Sequence, residues 1–379
     1  MVAVVSACSG EPSLPAATPD AASAPDGPAV KAPLEIEALG VQGFALRYRG
    51  ETVLSAPMFT RQSTVAVGLN LPLPSDPVAV DDGLAHVRMD ELRAIISGHA
   101  HYDHFIDVPH IMERAPQATT FTNLSGRHIL AALAPDRAAN CTGPAQTPVI
   151  ARARVIAMDD ALASYVDYTN CPAQRPAGAP MQGRWYDVPN SHVRVMAFCS
   201  MHPAQVGPFH FGEGSIDVDQ CELPRAASGW LEGQTLAFVI DFLDDVGAPA
   251  FRVFYQDAPT NAPIGEVPAA VLGDVPVDVA LLCVGSNDAV ANQPTAIIET
   301  LRPRFVLSGH WEDFFQPRSA APKAIPLLDV DNYVMRANTA LAAHPLAASD
   351  GELVVNGVEG PERQVLVQAG TWLTVPPSR

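Results

Sequence analysis

The sequence predicts an α/β protein, and three observations carry the prediction. Apolar runs rich in Val, Ile, Leu and Phe recur at residues 92–97, 193–199, 251–256, 277–284 and 305–309. Runs of this length bounded by polar residues read as buried strands. Segments that read as helices, at 108–114, 128–134 and 294–301, lie between them. Several of the strand-like runs also stop at a lone histidine or aspartate, and a strand tip is a rigid mount for a ligating group. With 379 residues, 48% of them hydrophobic, the chain can bury a sizeable core as one large or two ordinary domains.

The elements follow in order. Residues 1–33 read as an address and a tether. Val5-Ser6-Ala7-Cys8 resembles a bacterial lipobox, which implies lipidation at Cys8, with seven residues ahead of it and no basic stretch. Residues 9–33 are rich in Pro, Ala, Ser and Asp, too poor in large apolar side chains to fold alone. The expected location is the periplasmic side of a bacterial cell envelope, with membrane contact only through the lipid. Residues 34–98 read as strands and turns. The helix at 108–114 carries Pro109 in its first turn, where proline is tolerated. A strand at 118–122 and a helix at 128–134 come next. Residues 135–190 are laden with Pro and Gly around a strand at 154–158. Strands at 235–241 and 277–284, the helix at 294–301 and a strand at 364–368 complete the pass.

Chemistry concentrates in His99-Ala100-His101-Tyr102-Asp103-His104, directly after the run 92–97. In an extended loop alternate side chains point the same way. His99 and His101 therefore converge on one metal ion, while Asp103 and His104 turn towards a second. Downstream, His202 follows the run 193–199, Asp257 ends 251–256 and His310 ends 305–309. Imidazole and carboxylate are the donors that catalytic zinc sites use. Five histidines and two aspartates suit two cations that share one carboxylate.

This ordered set resembles the metallo-β-lactamase superfamily from about residue 35 to the C-terminus. The resemblance implies a four-layer αβ/βα sandwich, here a single domain over residues 34–379, with the metals at one end of the sheets. Segment 43–54, with Arg49-Gly50-Glu51 at its turn, looks like that fold's opening hairpin. One metal is expected on His99, His101 and His202. The other is expected on Asp103, His104 and His310, and Asp257 would bridge them. Residues 135–190 and 203–232 then read as insertions that wall the site, where long loops decide substrate choice. Two divalent ions are implied. Zinc suits the imidazoles best, and iron or manganese fit the same donors.

The implied chemistry is hydrolysis by a hydroxide shared between the cations. Asp103 and Asp257 are candidates to relay its proton, and Tyr102 to hydrogen-bond the leaving oxygen. A β-lactamase is disfavoured by Asp257, and a redox flavo-diiron protein by His101 where that group carries Glu. Tyr102 within the motif, and His310-Trp311 followed by Phe314-Phe315, resemble bacterial relatives of N-acyl-phosphatidylethanolamine phospholipase D. Gln256-Asp257-Ala258-Pro259 and Ser200-Met201-His202-Pro203 depart from that group's pattern. The expected substrate is a small or lipid-like phosphoester of the phosphodiester type. A lactone or carboxylic ester hydrolase on the same metals is the alternative, and a non-catalytic metal-binding lipoprotein the third reading. Trp311, Phe314 and His210 are the candidate substrate contacts.

A net charge of −18 opposes binding to nucleic acid, which is driven by cationic neutralisation. No apolar run is long enough to span a bilayer. Cys141 and Cys171, and likewise Cys199 and Cys221, lie in irregular sequence and are candidates to pair, while Cys283 reads as a small buried hydrophobe. Cys199 is also a conceivable thiolate ligand, although the set of seven is already full. Glu312 and Asp313 are expected to open a helix, where the dipole favours acids. His86, His110, His128, His192 and His344 read as ordinary surface or core histidines.

Overall fold

Two sheets carry the fold in the computed structural model, which describes residues 32–378 except 143–145, 161–165, 168–183, 206 and 263. The strands are β1 (Leu34–Gly40), β2 (Gly43–Tyr48), β3 (Glu51–Ser55), β4 (Leu92–Ile96), β5 (Thr119–Thr122), β6 (Val155–Ala157), β7 (Val166–Asp167), β8 (Tyr186–Asp187) and β9 (Val193–Cys199). They continue as β10 (Leu236–Leu243), β11 (Pro249–Gln256), β12 (Val279–Cys283), β13 (Phe305–Gly309), β14 (Leu353–Val355), β15 (Val358–Gly360), β16 (Gln364–Leu366) and β17 (Trp372–Val375). The helices are α1 (Thr64–Gly68), α2 (Pro77–Gly83), α3 (Tyr102–Phe105), α4 (Val108–Arg114), α5 (Leu124–Leu130), α6 (Ala269–Leu272), α7 (Thr295–Leu301) and α8 (Val330–Ala342). The first sheet runs β15-β14-β17-β1-β2-β3-β4-β5-β6. The second runs β16-β13-β12-β11-β10-β9-β7, with β8 also on β9.

Three apolar clusters define the layers. Ile36, Phe44, Leu46 and Ile96 of the first sheet meet Val195, Phe238, Ile240, Phe251, Leu281 and Leu307 of the second. The next residue along a strand faces the other way. Ile95 accordingly packs outward on Val80 of α2, Ile111 and Met112 of α4, and Ile129 of α5. Val239, Leu282 and Val306 pack outward on Ile297 and Ile298 of α7 and on Tyr333 and Leu341 of α8. Helices, sheet, sheet and helices make the expected four-layer αβ/βα sandwich. Strands buried on both faces read as unbroken apolar runs, which is why the sequence showed them so plainly.

Local chemistry sets several boundaries. The β2–β3 turn puts Arg49 and Gly50 at φ +49° and +78°. That pair of positive angles is what a tight two-residue hairpin requires, and glycine supplies one without penalty. Helix α4 starts where expected and follows Asp107. The Asp107 carboxylate accepts the Phe59 and Thr60 N–H groups at 2.7 and 2.8 Å, fastening the loop after β3. The helix expected at 128–134 instead begins at Leu124, because the Asn123 side chain caps it by accepting the Gly126 N–H at 2.9 Å. Glu312 and Asp313 do not open a helix. Glu312 lies in a short bridge to Ala324 and its carboxylate accepts the Val41 N–H at 3.0 Å.

Segment 203–232 contains little regular structure among its described residues, a 3-10 turn at Ala227–Gly229 being its one helical piece. Much of 135–190 lies outside the described residues, as do Cys8, the tether through residue 31 and Cys171. The two loop segments are joined by a Cys141–Cys221 disulfide, with Cα atoms 5.2 Å apart. This replaces the expected Cys141–Cys171 and Cys199–Cys221 pairs. Cys199 is itself disulfide-bonded, so it offers no thiolate to a metal. Cys283 is free and buried, as expected. Among the described residues no helix is long and apolar enough to cross a membrane.

Candidate metal centre

The C-terminal ends of β4, β9, β11 and β13 deliver His99, His202, Asp257 and His310 to one edge of the sandwich. Main-chain bonds knit the two sheets there. Leu236 N donates to Gly98 O at 2.8 Å and His310 N to Val41 O at 2.6 Å. The short helix α3 starts at Tyr102 and turns Asp103 and His104 back over the strand end.

Two ligand groups result. His99, His101 and His202 form one, and Asp103, His104 and His310 the other, each with donor atoms within 4.8 Å of one another. His99 joins them, its ring centroid lying 4.3 Å from that of His104 and 4.8 Å from that of His202. In the second group the Asp103 Oδ2 atom lies 3.4 Å from Nε2 of both His104 and His310. Six of the seven sequence-predicted ligands therefore stand in the expected two groups.

Asp257 faces one histidine of each group, with its Oδ2 4.0 Å from His104 Nδ1. Its Oδ2 accepts the Gly98 N–H at 2.7 Å and its Oδ1 meets His99 Nδ1 at 3.1 Å. Both oxygens are engaged, and the residue stands in neither ligand group. This is the geometry of a carboxylate that fixes a ligand's tautomer. Gly98 permits it, since a Cβ there would meet Asp257 Oδ1 at 2.3 Å.

The site residues fit metal ions on their own chemistry. His99 Nε2 is buried with no hydrogen-bond partner while its Nδ1 is held by Asp257. His202 Nδ1 meets Pro203 O at 2.7 Å, which leaves Nε2 free. His101 Nε2 meets Gly212 O at 3.2 Å, which leaves Nδ1 free. In each case the N–H is spent on an oxygen and the lone pair on the other nitrogen is kept for a cation. Burial and neighbouring imidazoles push His101 down to about 3. Burial also takes His104 to about 3 against the pull of Asp103. Burial holds His99 and His202 well below the usual histidine range. Imidazoles kept neutral are ready to bind metal without first releasing protons.

The carboxylates divide. Burial opposes charge on Asp103, but His104 and His310 outweigh it and hold the group well below its usual range. Burial raises Asp257 to about 6, against the pull of His104 and the Gly98 N–H. Among the described residues neither has an arginine or lysine ion-pair partner. A buried carboxylate needs compensating charge, and divalent cations supply it.

The wall places the remaining candidates unevenly. The His210 ring stacks on His202 at 5.5 Å, and Phe314 meets His310 edge-on at 5.2 Å. Trp311 turns away: its ring packs on the outer face of the second sheet and its Nε1–H donates to Val367 O at 2.6 Å. Tyr102 packs against the helix layer of the first sheet. Burial raises its phenol far above the ordinary range. Glu232, unmarked in the sequence by any motif, reaches His210 Nε2 at 2.8 Å and lies 3.9 Å from His101 Nε2. With His202 and His210 it forms a third cluster of donor type, already closed by the His210–Glu232 bond.

No family model and no curated protein matches the chain. Solved structures do. Igni18, a metallo hydrolase from the archaeon Ignicoccus hospitalis, is 14% identical with a TM-score of 0.44, over 90% of this chain and 98% of that one. YhfI from Bacillus subtilis, described as a metallo-β-lactamase fold protein, is 11% identical with a TM-score of 0.43, over 90% and 99%. CmlA, a diiron β-hydroxylase from Streptomyces venezuelae, is 11% identical with a TM-score of 0.45, over 92% of this chain and 55% of that one. At these scores the likeness assigns no role to any residue of this chain.

Proposed function

We propose that the chain is a dinuclear metal-dependent hydrolase of phosphodiester-type esters. The observation that supports this most is the pair of adjacent ligand groups, joined through His99 and His104 and holding buried carboxylates without arginine or lysine. Two divalent cations, when bound, supply a nucleophile from water at neutral pH and polarise the ester oxygen.

The residues divide the remaining work. His99, His101 and His202 would hold one cation, and Asp103, His104 and His310 the other. Asp257 fixes the His99 ring through Nδ1 and is itself anchored by the Gly98 N–H. The Gly212 carbonyl orients His101, and its approach depends on the glycine, whose Cβ would lie 2.7 Å from His101 Nε2. His210 and Phe314 border the space above the ligands and position what enters it. No protein nucleophile is needed.

A second reading, a lactone or carboxylic ester hydrolase, is favoured by the wall's charge. Residues 201–232 carry Glu213, Asp217, Asp219, Glu222 and Glu232 against Arg225 alone. Such a wall suits a neutral ester better than an anionic phosphodiester. The test uses the metal-loaded full chain on bis(4-nitrophenyl) phosphate and a chromogenic lactone side by side, with His99→Ala as control. Phosphodiester turnover that a chelator abolishes and the variant lacks supports the first reading. Lactone turnover alone supports the second. Inactivity on both, with metals bound, rejects both.

A further inference from the structure

The loop that follows His310 folds back towards the segment after β3 and leaves a cleft of about 80 Å³, room for several waters or one small ion. The loop is fixed rather than slack. Asp313 N donates to Lys323 O at 2.7 Å, Ile325 N to Trp311 O at 2.8 Å and Gln316 N to Asp313 O at 3.1 Å. Glu312 and Ala324 pair as a bridge at its neck.

Arg61 lines this cleft with a side chain only 11% exposed. Its Nη2 donates to Glu312 Oε1 at 3.2 Å, while Nε and Nη1 are buried with no hydrogen-bond partner. Gly40 makes room for the pair, since a Cβ there would lie 2.6 Å from Arg61 Nη2 and 2.9 Å from Glu312 Oε1. Arg318 and Lys323 line the same cleft. The Arg318 guanidinium lies over the Phe59 ring at 5.1 Å, and its Nε has no partner either. Burial lowers the Arg61 pKa against the pull of Glu312, and Arg318 nearby lowers it further.

The neighbouring acids are engaged elsewhere. Glu312 Oε1 also accepts the Val41 N–H, and Asp313 accepts the Phe315 N–H and the Gln316 amide. Asp107 accepts from Phe59, Thr60 and Ser75. Glu37 and Asp82 attract Arg318 from outside the lining. The lining itself holds three cations against two acids, on a chain of net charge −18. Buried N–H groups require acceptors, and a guanidinium fork matches the oxygens of phosphate or carboxylate.

We propose that the cleft between Arg61, Arg318 and Lys323 binds one small oxyanion, a phosphate or carboxylate group. The oxyanion is the acceptor that the unused Arg61 N–H groups lack. None of the seven candidate metal-site residues lines the cleft, so the site does not depend on the hydrolase reading.

The test is calorimetric titration of the metal-loaded full chain with sulfate, standing in for phosphate, and separately with acetate, at constant ionic strength. The native protein should bind one equivalent of at least one of them. Sulfate alone identifies a phosphate-type ligand and acetate alone a carboxylate. Arg318→Gln/Lys323→Gln should weaken that binding about tenfold or more, the worth of a hydrogen bond to a charged group. The loop is closed by main-chain bonds, so this variant should fold. His99→Ala should bind the anion as the native protein does. No binding of either anion at millimolar concentration, or binding unaltered in the double variant, overturns the proposal. So does binding that His99→Ala loses and the double variant keeps, which puts the anion on the metal ions.

Discussion

The floor and the wall of the candidate metal centre are built by different means. The floor is strand ends: His99, His104 and Asp257 are all but fully buried, and each sits one to a few residues beyond a strand or in the short helix that follows. The wall is loop: residues 203–232 are held by scattered hydrogen bonds, the disulfide to Cys141 and the buried Trp230, and leave Phe209 and Phe211 exposed. A floor of this kind fixes the positions of charges, which chemistry needs. A wall of this kind can change its side chains without disturbing the sheets, which is how substrate choice is altered on a fixed reaction.

The sharpest break of that comparison sets His99→Ala against His210→Ala. The first removes a donor whose Nε2 has no other partner and whose Nδ1 satisfies Asp257. It should lose a metal equivalent and at least about 10³-fold in turnover, the several kcal/mol a catalytic cation supplies. The second removes a ring already bonded to Glu232. It should keep both equivalents and lose less than about tenfold. Metal content by mass spectrometry decides it. Loss of metal in His210→Ala would make His202, His210 and Glu232 a working ligand group and erase the division.

The same division explains what the sequence could and could not tell. Floor residues were legible because their neighbours in sequence are their neighbours in space. The His99–His104 motif is contiguous, and His202, Asp257 and His310 follow apolar runs that had to be strands. Wall residues depend on distant partners. Glu232 is placed by its main-chain carbonyl, which accepts the Asn123 side chain at 2.6 Å and the Ala100 N–H at 3.1 Å, neither signalled locally. The disulfide joins two loops whose approach only the folded sheets determine. Trp311 looked like a site residue by adjacency to His310, but the chain leaves β13 at Gly309 and turns through His310 at φ +56°, which carries Trp311 to Val367 and the outer face. Helix α8 escaped notice, its buried Tyr333, Ala337, Ala340 and Leu341 giving only a thin apolar stripe.

A middle-sized effect tests the floor itself. Asp257→Asn keeps the shape and an acceptor but removes charge beside His99 Nδ1. As an orienting carboxylate, Asp257 should cost about 10–100-fold in affinity for one metal when neutralised, as carboxylate partners of ligand histidines do. Calorimetric titration with zinc would read this as one weakened site and one unchanged site. Weakening of both sites together would instead make Asp257 a carboxylate shared between the cations.

The smallest effect separates a metal-site carboxylate from one with no cation to meet. Asp159 lies two residues beyond β6, where the floor gives way to the wall, and accepts the Leu124 N–H at 2.7 Å. Burial raises its pKa to about 7, only partly offset by that N–H and by Arg127. Its folded value thus exceeds the value near 4 of an unfolded chain. The folded state holds the proton more tightly, so this group's contribution is full below pH 4 and is lost as pH rises through 7. Asp159→Asn retains an acceptor for Leu124 and cannot ionise. Relative to the native protein it should gain about 1–2 kcal/mol between pH 4 and pH 8, a discounted figure because the carboxyl keeps some access to water. Urea unfolding of both proteins across that range measures the difference, in which all other titrations cancel. A constant difference would mean that Asp159 stays ionised in the fold, with Arg127 and the helix end supplying for it what metal ions would supply for Asp103.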